Sequence, residues 1–294
     1  MSATPKIVER IAELRAVLDA ERSAGKDVGF VPTMGFLHEG HLRLVDRARE
    51  VADRVVMSIF VNPLQFGPRE DFGSYPRDLA RDRQLATERG VDCLFVPSGE
   101  AMYPTEPVVR VLGGPMADTL EGAARPGHFT GVLTVVAKLL HMVEPDVAVF
   151  GRKDFQQAML VRRMAADLDF PCDIEIAPTV RELDGLALSS RNVYLKGDDR
   201  RAALALSRAL RAVEQAWRSG EADPQALQRR GMQALAAPGV SPEYLALVDE
   251  QMRPVARVDA RTVVVIAARV GTTRLIDNVV LGEGVAGDVS VRAS

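Results

Sequence analysis

Cysteine is scarce in the 294-residue sequence, which contains only Cys93 and Cys172, each in a short apolar run typical of a strand. Neither has a second cysteine nearby, so a zinc motif is not supported, and we expect two buried, reduced thiols in a cytoplasmic protein. No apolar run reaches the roughly 18–20 residues that a membrane span needs. The amphipathic N-terminal segment, residues 1–22, contains several acidic residues and lacks the basic start and apolar core of a signal peptide. We therefore expect no membrane partner.

The sequence also lacks a basic excess, because its formal net charge is −3. General nucleic-acid binders usually carry such an excess, so we expect no nucleic-acid partner. Neither the P-loop pattern nor the three-glycine turn of dinucleotide-binding folds is present. No Ser/His/Asp or Cys/His arrangement is visible, which argues against attack by a protein nucleophile.

Apolar runs alternate with helix-like segments through the first 182 residues. Ile7, Ile11, Leu14 and Leu18 share one helical face and predict an N-terminal helix. Strands are predicted at residues 28–31, 55–61, 91–96, 108–112, 146–150 and 172–176. A long Gly/Pro-rich loop, residues 62–76, has the length of a functional loop. This alternation predicts an α/β fold with a Rossmann-like, doubly wound parallel sheet, whose ligands bind at the carboxyl ends of the strands.

The pattern changes after residue 182. A long helix is predicted at residues 198–217, a second begins after Asp223 and Pro224, and three strands are predicted at residues 244–248, 262–267 and 274–281. Helices followed by clustered strands indicate a second, smaller α+β domain. We therefore expect domains at residues 1–182 and 183–294, with the site in a cleft at their meeting point.

His38 and His41 follow the strand at residues 28–31 and a turn containing Pro32 and Gly35. They would occupy one face of the first turn of a helix, where unpaired backbone N–H groups and the helix dipole favour anions. The pair therefore predicts a phosphate site. A metal site and simple capping histidines are the alternatives, although His-Glu-Gly-His is one residue shorter than the zinc-protease pattern.

Other polar residues follow strands in the same way. Lys153 lies in a turn between a strand and a helix, where it would contact phosphate or would simply be solvated. Ser189, Ser190 and Arg191 suit a polyphosphate, or would form a polar interdomain linker. The amides of Gln65 and Gln157 suit a hydroxy acid, or would belong to surface residues.

Several segments together resemble the pantothenate synthetase family. His38-Glu39-Gly40-His41 resembles the HIGH motif of the nucleotidylyltransferase and class I aminoacyl-tRNA synthetase superfamily, and Ser189-Ser190-Arg191-Asn192 is similar to its KMSKS counterpart. The segments at residues 60–66, 125–132, 150–157 and 188–192 resemble the family in its order. The resemblance implies an ATP-dependent ligase of pantothenate biosynthesis, in the coenzyme A pathway. Such an enzyme joins pantoate to β-alanine through a pantoyl adenylate and releases AMP and pyrophosphate.

The same resemblance implies roles for individual residues. His41 takes the position of the proton donor, and His38, Lys153 and Arg191 would complete the catalytic set. Gln65 would contact pantoate and β-alanine, and Gln157 would contact pantoate. The residues implied to bind ATP are Met34, Gly35, Phe36, Leu37, His38, Glu39, Gly40, His41, Gly151, Arg152, Lys153, Asp154, Val180, Leu188, Ser189, Ser190 and Arg191.

The resemblance further implies Mg²⁺ with ATP, small-molecule substrates and a cytoplasmic homodimer. No protein metal ligand is assigned. The family usually has Met at the position of Leu188, a change that conserves volume, and Glu at the position of Arg152, which adds positive charge near the nucleotide. Two alternatives stay open: a nucleotidylyltransferase that transfers AMP to a phosphorylated acceptor, and a nucleotide sensor without catalysis.

Overall fold

The computed structural model describes residues 4–68 and 70–291. Two compact units divide the chain: Met1–Gly151 with Gln157–Ala177, and Arg152–Gln156 with Pro178–Ser294. Residues 1–3 of the predicted N-terminal segment, Arg69 of the predicted long loop and residues 292–294 of the predicted second domain lie outside the described residues. Within residues 4–68 and 70–291, no helix is both long and apolar enough to cross a membrane.

The first unit is built on a six-stranded, wholly parallel sheet with strand order β1-β4-β3-β2-β5-β6. Its strands are β1 (Lys6–Val8), β2 (Val28–Thr33), β3 (Arg54–Ile59), β4 (Cys93–Phe95), β5 (Val147–Gly151) and β6 (Asp173–Ala177). Apolar residues run almost without interruption through β2, β3 and β5, as expected for strands covered on both faces. The chain direction across the sheet reverses between β2 and β5, the point at which such sheets bind ligands. The predicted Rossmann-like class is confirmed.

Among the described residues as far as 167, the α-helices are α1 (Ile11–Ser23), α2 (Glu39–Val51), α3 (Leu79–Glu88), α4 (Gly99–Met102), α5 (Glu121–Ala124), α6 (His128–Val143) and α7 (Phe155–Asp167). The amphipathic helices bury one face each, through Leu14 and Leu18 in α1 and through Leu42, Val45 and Ala48 in α2. Because α2 follows β2 directly, the fold places its first turn at the carboxyl end of a central strand.

Several predicted elements differ from the structure. Ile7 lies in β1, paired with Leu94 of β4, because the sheet edge offers main-chain partners that outweigh a chance helical spacing. Residues 108–112 form no strand. Cys93 is buried as expected, but Cys172 is only half-buried and precedes β6. Burial raises the pKa of both thiols to about 11.

The family-like segment at residues 125–132 contains a short turn and the start of α6, which begins at His128. Gly127 supplies the turn with a φ of +83°. Gly131 instead lies within α6, where an added Cβ would come within 2.2 Å of the carbonyl oxygen of Leu64. Its glycine therefore permits close packing of α6 on the loop after β3.

The second unit contains an antiparallel sheet with order β10-β9-β8 and the helices that pack on it. Its elements are β7 (Val180–Glu182), α8 (Gly197–Ala202), α9 (Leu204–Arg218), α10 (Pro224–Leu235), β8 (Val240–Val248), β9 (Val263–Val270), β10 (Thr273–Val280) and β11 (Val289–Val291). The predicted helix at residues 198–217 is thus two helices, α8 and α9. The three predicted strands are present, and the short parallel pair β7–β11 was not predicted.

Candidate active site

The turn after β2 is held by hydrogen bonds from within the first unit. Thr33 Oγ1 donates to the carbonyl of Ser58 at 2.7 Å and accepts from the N–H of Gly35 at 3.1 Å. Gly35 adopts a φ of +81°, and an added Cβ would lie 2.9 Å from both Ile59 and Asp82. Only glycine therefore fits at this position, and the turn delivers residues 36–41 to the carboxyl end of β2.

Asp82 of α3 binds the same turn through its carboxylate. Its two oxygens accept the N–H groups of Phe36 at 2.8 Å and Leu37 at 2.6 Å. Burial raises the pKa of Asp82, against the opposing effect of these two backbone donors. Arg81 completes the support, since it donates to the carbonyl of Leu37 at 2.7 Å.

His38 and His41 occupy the N-cap and the third position of α2, on the first turn as predicted. The ring of His38 accepts the N–H of Gly40 at Nδ1 (3.1 Å), and the ring of His41 accepts the N–H of His38 at Nδ1 (3.3 Å). The ring centroids are 4.0 Å apart. Because both Nδ1 atoms act as acceptors, each neutral ring carries its proton on Nε2, from which it can donate to an anion.

This geometry corrects one part of the sequence argument. Unpaired backbone N–H groups were expected to favour an anion at the start of α2, but the N–H groups of Phe36, Leu37 and Gly40 already have acceptors. The alternative of capping histidines is therefore confirmed as a structural role, since His38 and His41 together cap α2. Capping through Nδ1 places the ring proton of each neutral imidazole on Nε2.

Gln65 follows β3 in a short 3-10 helix (Pro63–Gln65) and is buried. Its Oε1 accepts from Asn62 Nδ2 at 3.1 Å, and its Nε2 lies 3.2 Å from Met34 Sδ. Asn62 is held in turn by the carbonyl of Gly131 at 3.1 Å and by the hydroxyl of Tyr103 at 2.9 Å. Since a thioether is a weak acceptor, the amide of Gln65 retains the capacity to donate to a stronger one.

Glu70, Arg125 and His128, here called the His128 network, support the main chain of Gln65. His128 Nδ1 donates to the carbonyl of Gln65 at 2.8 Å, and Arg125 Nη1 donates to His128 Nε2 at 2.9 Å. Arg125 also forms a two-pronged ion pair with Glu70, at 2.7 and 2.6 Å. Burial and the nearby Arg125 lower the pKa of His128 to about 4, so the ring is neutral at pH 7.

The remaining residues predicted in the first unit are Gly151, at the end of β5, and Gln157, half-buried on α7. In the second unit, Arg152, Lys153 and Asp154 form a single 3-10 turn, as the sequence indicated. The Lys153 ammonium lies 3.7 Å from the carboxylate of Asp154. Lys153 is half-buried, so its charge is partly shielded from solvent.

Val180 and the Ser-Ser-Arg loop meet through the main chain of the second unit. The N–H of Leu188 donates to the carbonyl of Val180 at 2.9 Å. Ser189 caps a 3-10 helix (Ser190–Tyr194), because its hydroxyl accepts the N–H of Arg191 at 3.2 Å. The Ser189 hydroxyl therefore already has a structural role as the cap of this 3-10 helix.

A second charge cluster, here called the Arg181 network, comprises the exposed Glu283 and four buried residues: Arg152, Arg181, Asp277 and Asp288. Arg181 is paired with both oxygens of Asp277, at 2.6 and 2.9 Å, and with Asp288 at 2.6 Å. Arg152 is paired with Asp288 at 3.0 Å and with Glu283. Although burial opposes the charged form, Asp277 and Asp288 raise the pKa of Arg181 above its ordinary value.

Sequence reasoning singled out Arg152 but missed Asp82 and the other charged residues of both networks. Arg125 and His128 lie in a segment that carries the family resemblance, and a titratable pair at the start of an apolar helix was the available signal. Asp82 had no local signal, because its partners lie about 45 residues earlier in the chain. Each unit gathers its own share of the predicted residues: His38, His41, Met34 and Gln65 in the first, and Val180 and Leu188 in the second.

Comparisons with known proteins identify the family of the chain. A sequence model described as pantoate-beta-alanine ligase matches residues 6–280. Pantothenate synthetase of Pelotomaculum thermopropionicum is 48% identical over 279 residues, covering 94% of this chain and 99% of the relative. Pantothenate synthetase of Sinorhizobium medicae is 51% identical over 280 residues, covering 94% and 96%.

Solved structures give the same result for the fold. A crystal structure of pantothenate synthetase from Thermus thermophilus has a TM-score of 0.89 and 50% identity, covering 94% of this chain and 99% of that one. A pantoate-beta-alanine ligase from Francisella tularensis, complexed with beta-gamma ATP and beta-alanine, has a TM-score of 0.79 and 33% identity, covering 96% and 99%. The chain belongs to the pantoate–β-alanine ligase family.

Proposed function

We infer that this enzyme is an ATP-dependent ligase that condenses pantoate with β-alanine to give pantothenate, AMP and pyrophosphate. The observation that carries this conclusion is the family match across residues 6–280, with relatives about half identical over nearly their full length. The Francisella tularensis relative, solved with an ATP compound and β-alanine, supports the same substrates.

The reaction proceeds in two displacements. The pantoate carboxylate attacks the α-phosphorus of ATP, a pantoyl adenylate forms, and pyrophosphate leaves. The amine of β-alanine then attacks the adenylate carbonyl, and AMP leaves as the amide bond forms. Little covalent work falls to the protein, so positioning and stabilisation of developing charge supply most of the catalysis.

His38 and His41 are proposed to donate from Nε2 to phosphate oxygens as negative charge develops there. The support is the tautomer imposed by the two Nδ1 acceptor bonds, which directs the ring proton to the other nitrogen. His41 is proposed as the proton donor of the reaction. Lys153 and Arg191 are proposed to add positive charge on the phosphates.

The proposed ATP contacts are the turn and first helical residues at 34–41, residues 151–154, Val180 and residues 188–191. The bond from Leu188 to Val180 supports joint action of two of these segments. For Arg152 the proposal concerns its main chain, because carboxylates already bind its guanidinium. Leu188 is proposed to serve as the family methionine does, since the two side chains have similar volume.

Gln65 is proposed to bind pantoate and β-alanine, and Gln157 to bind pantoate. The support for Gln65 is its buried amide, whose nitrogen faces only a weak sulfur acceptor. A carboxylate or hydroxyl of the substrates would provide the stronger acceptor. The His128 network would fix the main chain of Gln65 while the substrates exchange.

Mg²⁺ is proposed to accompany ATP and to neutralise charge on its phosphates. Among the described residues, no three His, Cys, Asp or Glu side chains form a group that could hold a metal ion. Mg²⁺ commonly keeps water ligands and binds substrate phosphates, so its ligands here would come mainly from ATP and water.

A cytoplasmic homodimer is the proposed state of the protein. Val108, Val109 and Leu112, in a segment predicted as a strand, are 97%, 85% and 75% exposed. Three large apolar side chains within five residues would be covered in an interface between two copies. We expect Val109→Asp to shift the protein from dimer towards monomer in sedimentation analysis. Val193→Asp, at another exposed valine, should leave the mass unchanged. No shift with Val109→Asp would contradict this interface.

The reaction is tested by measuring products from ATP, pantoate and β-alanine. AMP and pyrophosphate are expected in equal yield, and their formation should depend on both acids in multiple turnover. Pyrophosphate release that does not need pantoate would contradict the assignment. AMP retained in the product would instead indicate a nucleotidylyltransferase.

A further inference from the structure

Arg152 stands where the family usually has glutamate, and the structure gives it an unexpected environment. Its side chain is 9% exposed, and its two neighbours of opposite charge are Asp288, 3% exposed, and Glu283. A buried guanidinium requires such partners. The positive charge of Arg152 is therefore already paired with carboxylates of the second unit. A glutamate at this position would be repelled by the same two carboxylates.

Asn278 holds the same turn through its main chain. Its Nδ2 donates to the carbonyl of Arg152 and to the carbonyl of Lys153, both at 2.9 Å. The side chain is 2% exposed, so water cannot readily replace these bonds. Both donors of one buried amide group thus end on the turn that carries Lys153.

The Arg181 network fixes Asn278 itself. Asp277, the preceding residue on β10, accepts the N–H of Asn278 at 2.8 Å and pairs with Arg181. Arg181 also donates to the carbonyl of Asn278 at 3.2 Å. Asp288 then joins Arg181 to Arg152, which closes the connection from β10 back to the turn.

We infer that Asn278 and Arg152 are positioning residues that set the main-chain position from which Lys153 acts on ATP. This inference rests on the proposed role of Lys153 at the phosphates. Two attachments hold the turn. The side-chain amide of Asn278 donates to the carbonyls of Arg152 and Lys153, and the guanidinium of Arg152 is held by its two carboxylate partners. Without them Lys153 keeps its charge, but its main chain is no longer held in one position. Misplacement of a catalytic group by about 1 Å can slow a reaction about a hundredfold.

The test is a double-mutant cycle on pyrophosphate release in a single turnover with ATP and pantoate. The variants are Asn278→Ala, Lys153→Met and the two combined. Asn278→Ala is expected to slow release about tenfold or more, since it removes both bonds to the turn. In the Lys153→Met background the same change should slow release by less than about twofold, because there is no longer a side chain to position.

Thr273→Ala provides the matched control, because Thr273 is another buried polar residue on β10. It should leave pyrophosphate release at the wild-type rate even where it lowers the melting temperature. If Asn278→Ala does not fold, the same cycle is run with Arg152→Gln, which keeps Asp288 paired with Arg181.

Two results separate this inference from the proposed role of Lys153. If Lys153→Met slows release but Asn278→Ala and Arg152→Gln slow it equally in both backgrounds, positioning through Lys153 is wrong and the role of Lys153 stands. If Lys153→Met releases pyrophosphate at the wild-type rate, the assignment of Lys153 to ATP is wrong, and this inference is wrong with it.

Discussion

The two buried networks support comparable main-chain positions with different chemistry. The His128 network holds Gln65 with a neutral imidazole, one arginine and a carboxylate that is 26% exposed. The Arg181 network holds the Lys153 turn with two arginines and buried carboxylates, in which Arg181 and Asp277 are 2% and 3% exposed. The His128 network contains an imidazole whose pKa is lowered to about 4 by burial and by Arg125. In the Arg181 network the arginines stay charged, and burial raises the pKa of the Asp288 carboxyl.

This difference separates two ways of supporting a substrate site. A neutral histidine can donate to a carbonyl and accept from a guanidinium, and it places no further charge beside a substrate. Paired arginines and carboxylates hold the main chain more firmly. Removal of one partner, however, greatly lowers the free energy of unfolding, because a buried charge is left unpaired. The comparison predicts that the Arg181 network is the more costly of the two to break.

Arg181→Met should have the largest effect on stability. It leaves Asp277 and Asp288 buried with fewer positive partners, and removal of one partner from such a cluster costs about 3–5 kcal/mol. The free energy of unfolding in denaturant measures this loss. The matched control is Arg163→Met, since Arg163 pairs with Asp167 at an exposed position, where about 1 kcal/mol or less is expected. Equal losses for the two variants would contradict the account of the Arg181 network.

Arg125→Met should have an intermediate effect. It removes the donor to His128 Nε2 and the partner of Glu70, but the partly exposed carboxylate can turn to water. We expect a loss of about 1–3 kcal/mol in the same denaturant measurement, the range for one unsatisfied buried polar group. A loss larger than that of Arg181→Met would reverse the comparison.

A separate effect is the pH dependence carried by His128. Its pKa is lowered from 6.5 to about 4, so the unfolded chain binds the proton more readily. The stabilisation is complete above pH 6.5 and is lost as the pH falls towards 4, at up to about 1.4 kcal/mol per pH unit for one proton. His128→Gln should reduce the dependence of the free energy of unfolding on pH between pH 4 and 6.5. An unchanged slope would show that His128 does not cause this dependence.

Glu70 extends the same trend to lower pH. Although burial opposes ionisation, hydrogen bonds and charge from Arg125 lower the pKa of Glu70 to about 2. Because its folded pKa lies below the ordinary value of 4.5, its contribution is present above pH 4.5 and is lost as the pH falls towards 2. The free energy of unfolding should therefore fall in two successive pH ranges, from 6.5 to about 4 through His128 and from 4.5 to about 2 through Glu70.

Much of the fold follows from local patterns in the sequence. The strand β2, the Pro/Gly turn and the polar start of α2 each have a separate signal, so their order placed the histidine pair on the first turn of the helix. The N-terminal segment misled, because a 4-3-4 apolar spacing overlaps a strand whose pairing partner is about 85 residues away. Apolar residues at 108–112 resembled a core strand because composition alone cannot report exposure.

The site was less accessible to sequence reasoning where residues act across the fold. Asp82 reaches back to Phe36 and Leu37, and Asn278 reaches back to the turn at Lys153, 125 residues earlier. No local spacing records such contacts. Residue roles at the phosphates came from family resemblance, and they stay predictions.

The most direct measurement is pyrophosphate release by His41→Ala in a single turnover with saturating ATP and pantoate. The account requires Nε2 of His41 to donate to charge that develops on phosphate, so release should slow by about 10²–10³, the scale of losing one such donor. His141→Ala, at an exposed histidine near the end of α6, should release pyrophosphate at the wild-type rate. A wild-type rate for correctly folded His41→Ala would contradict the central claim.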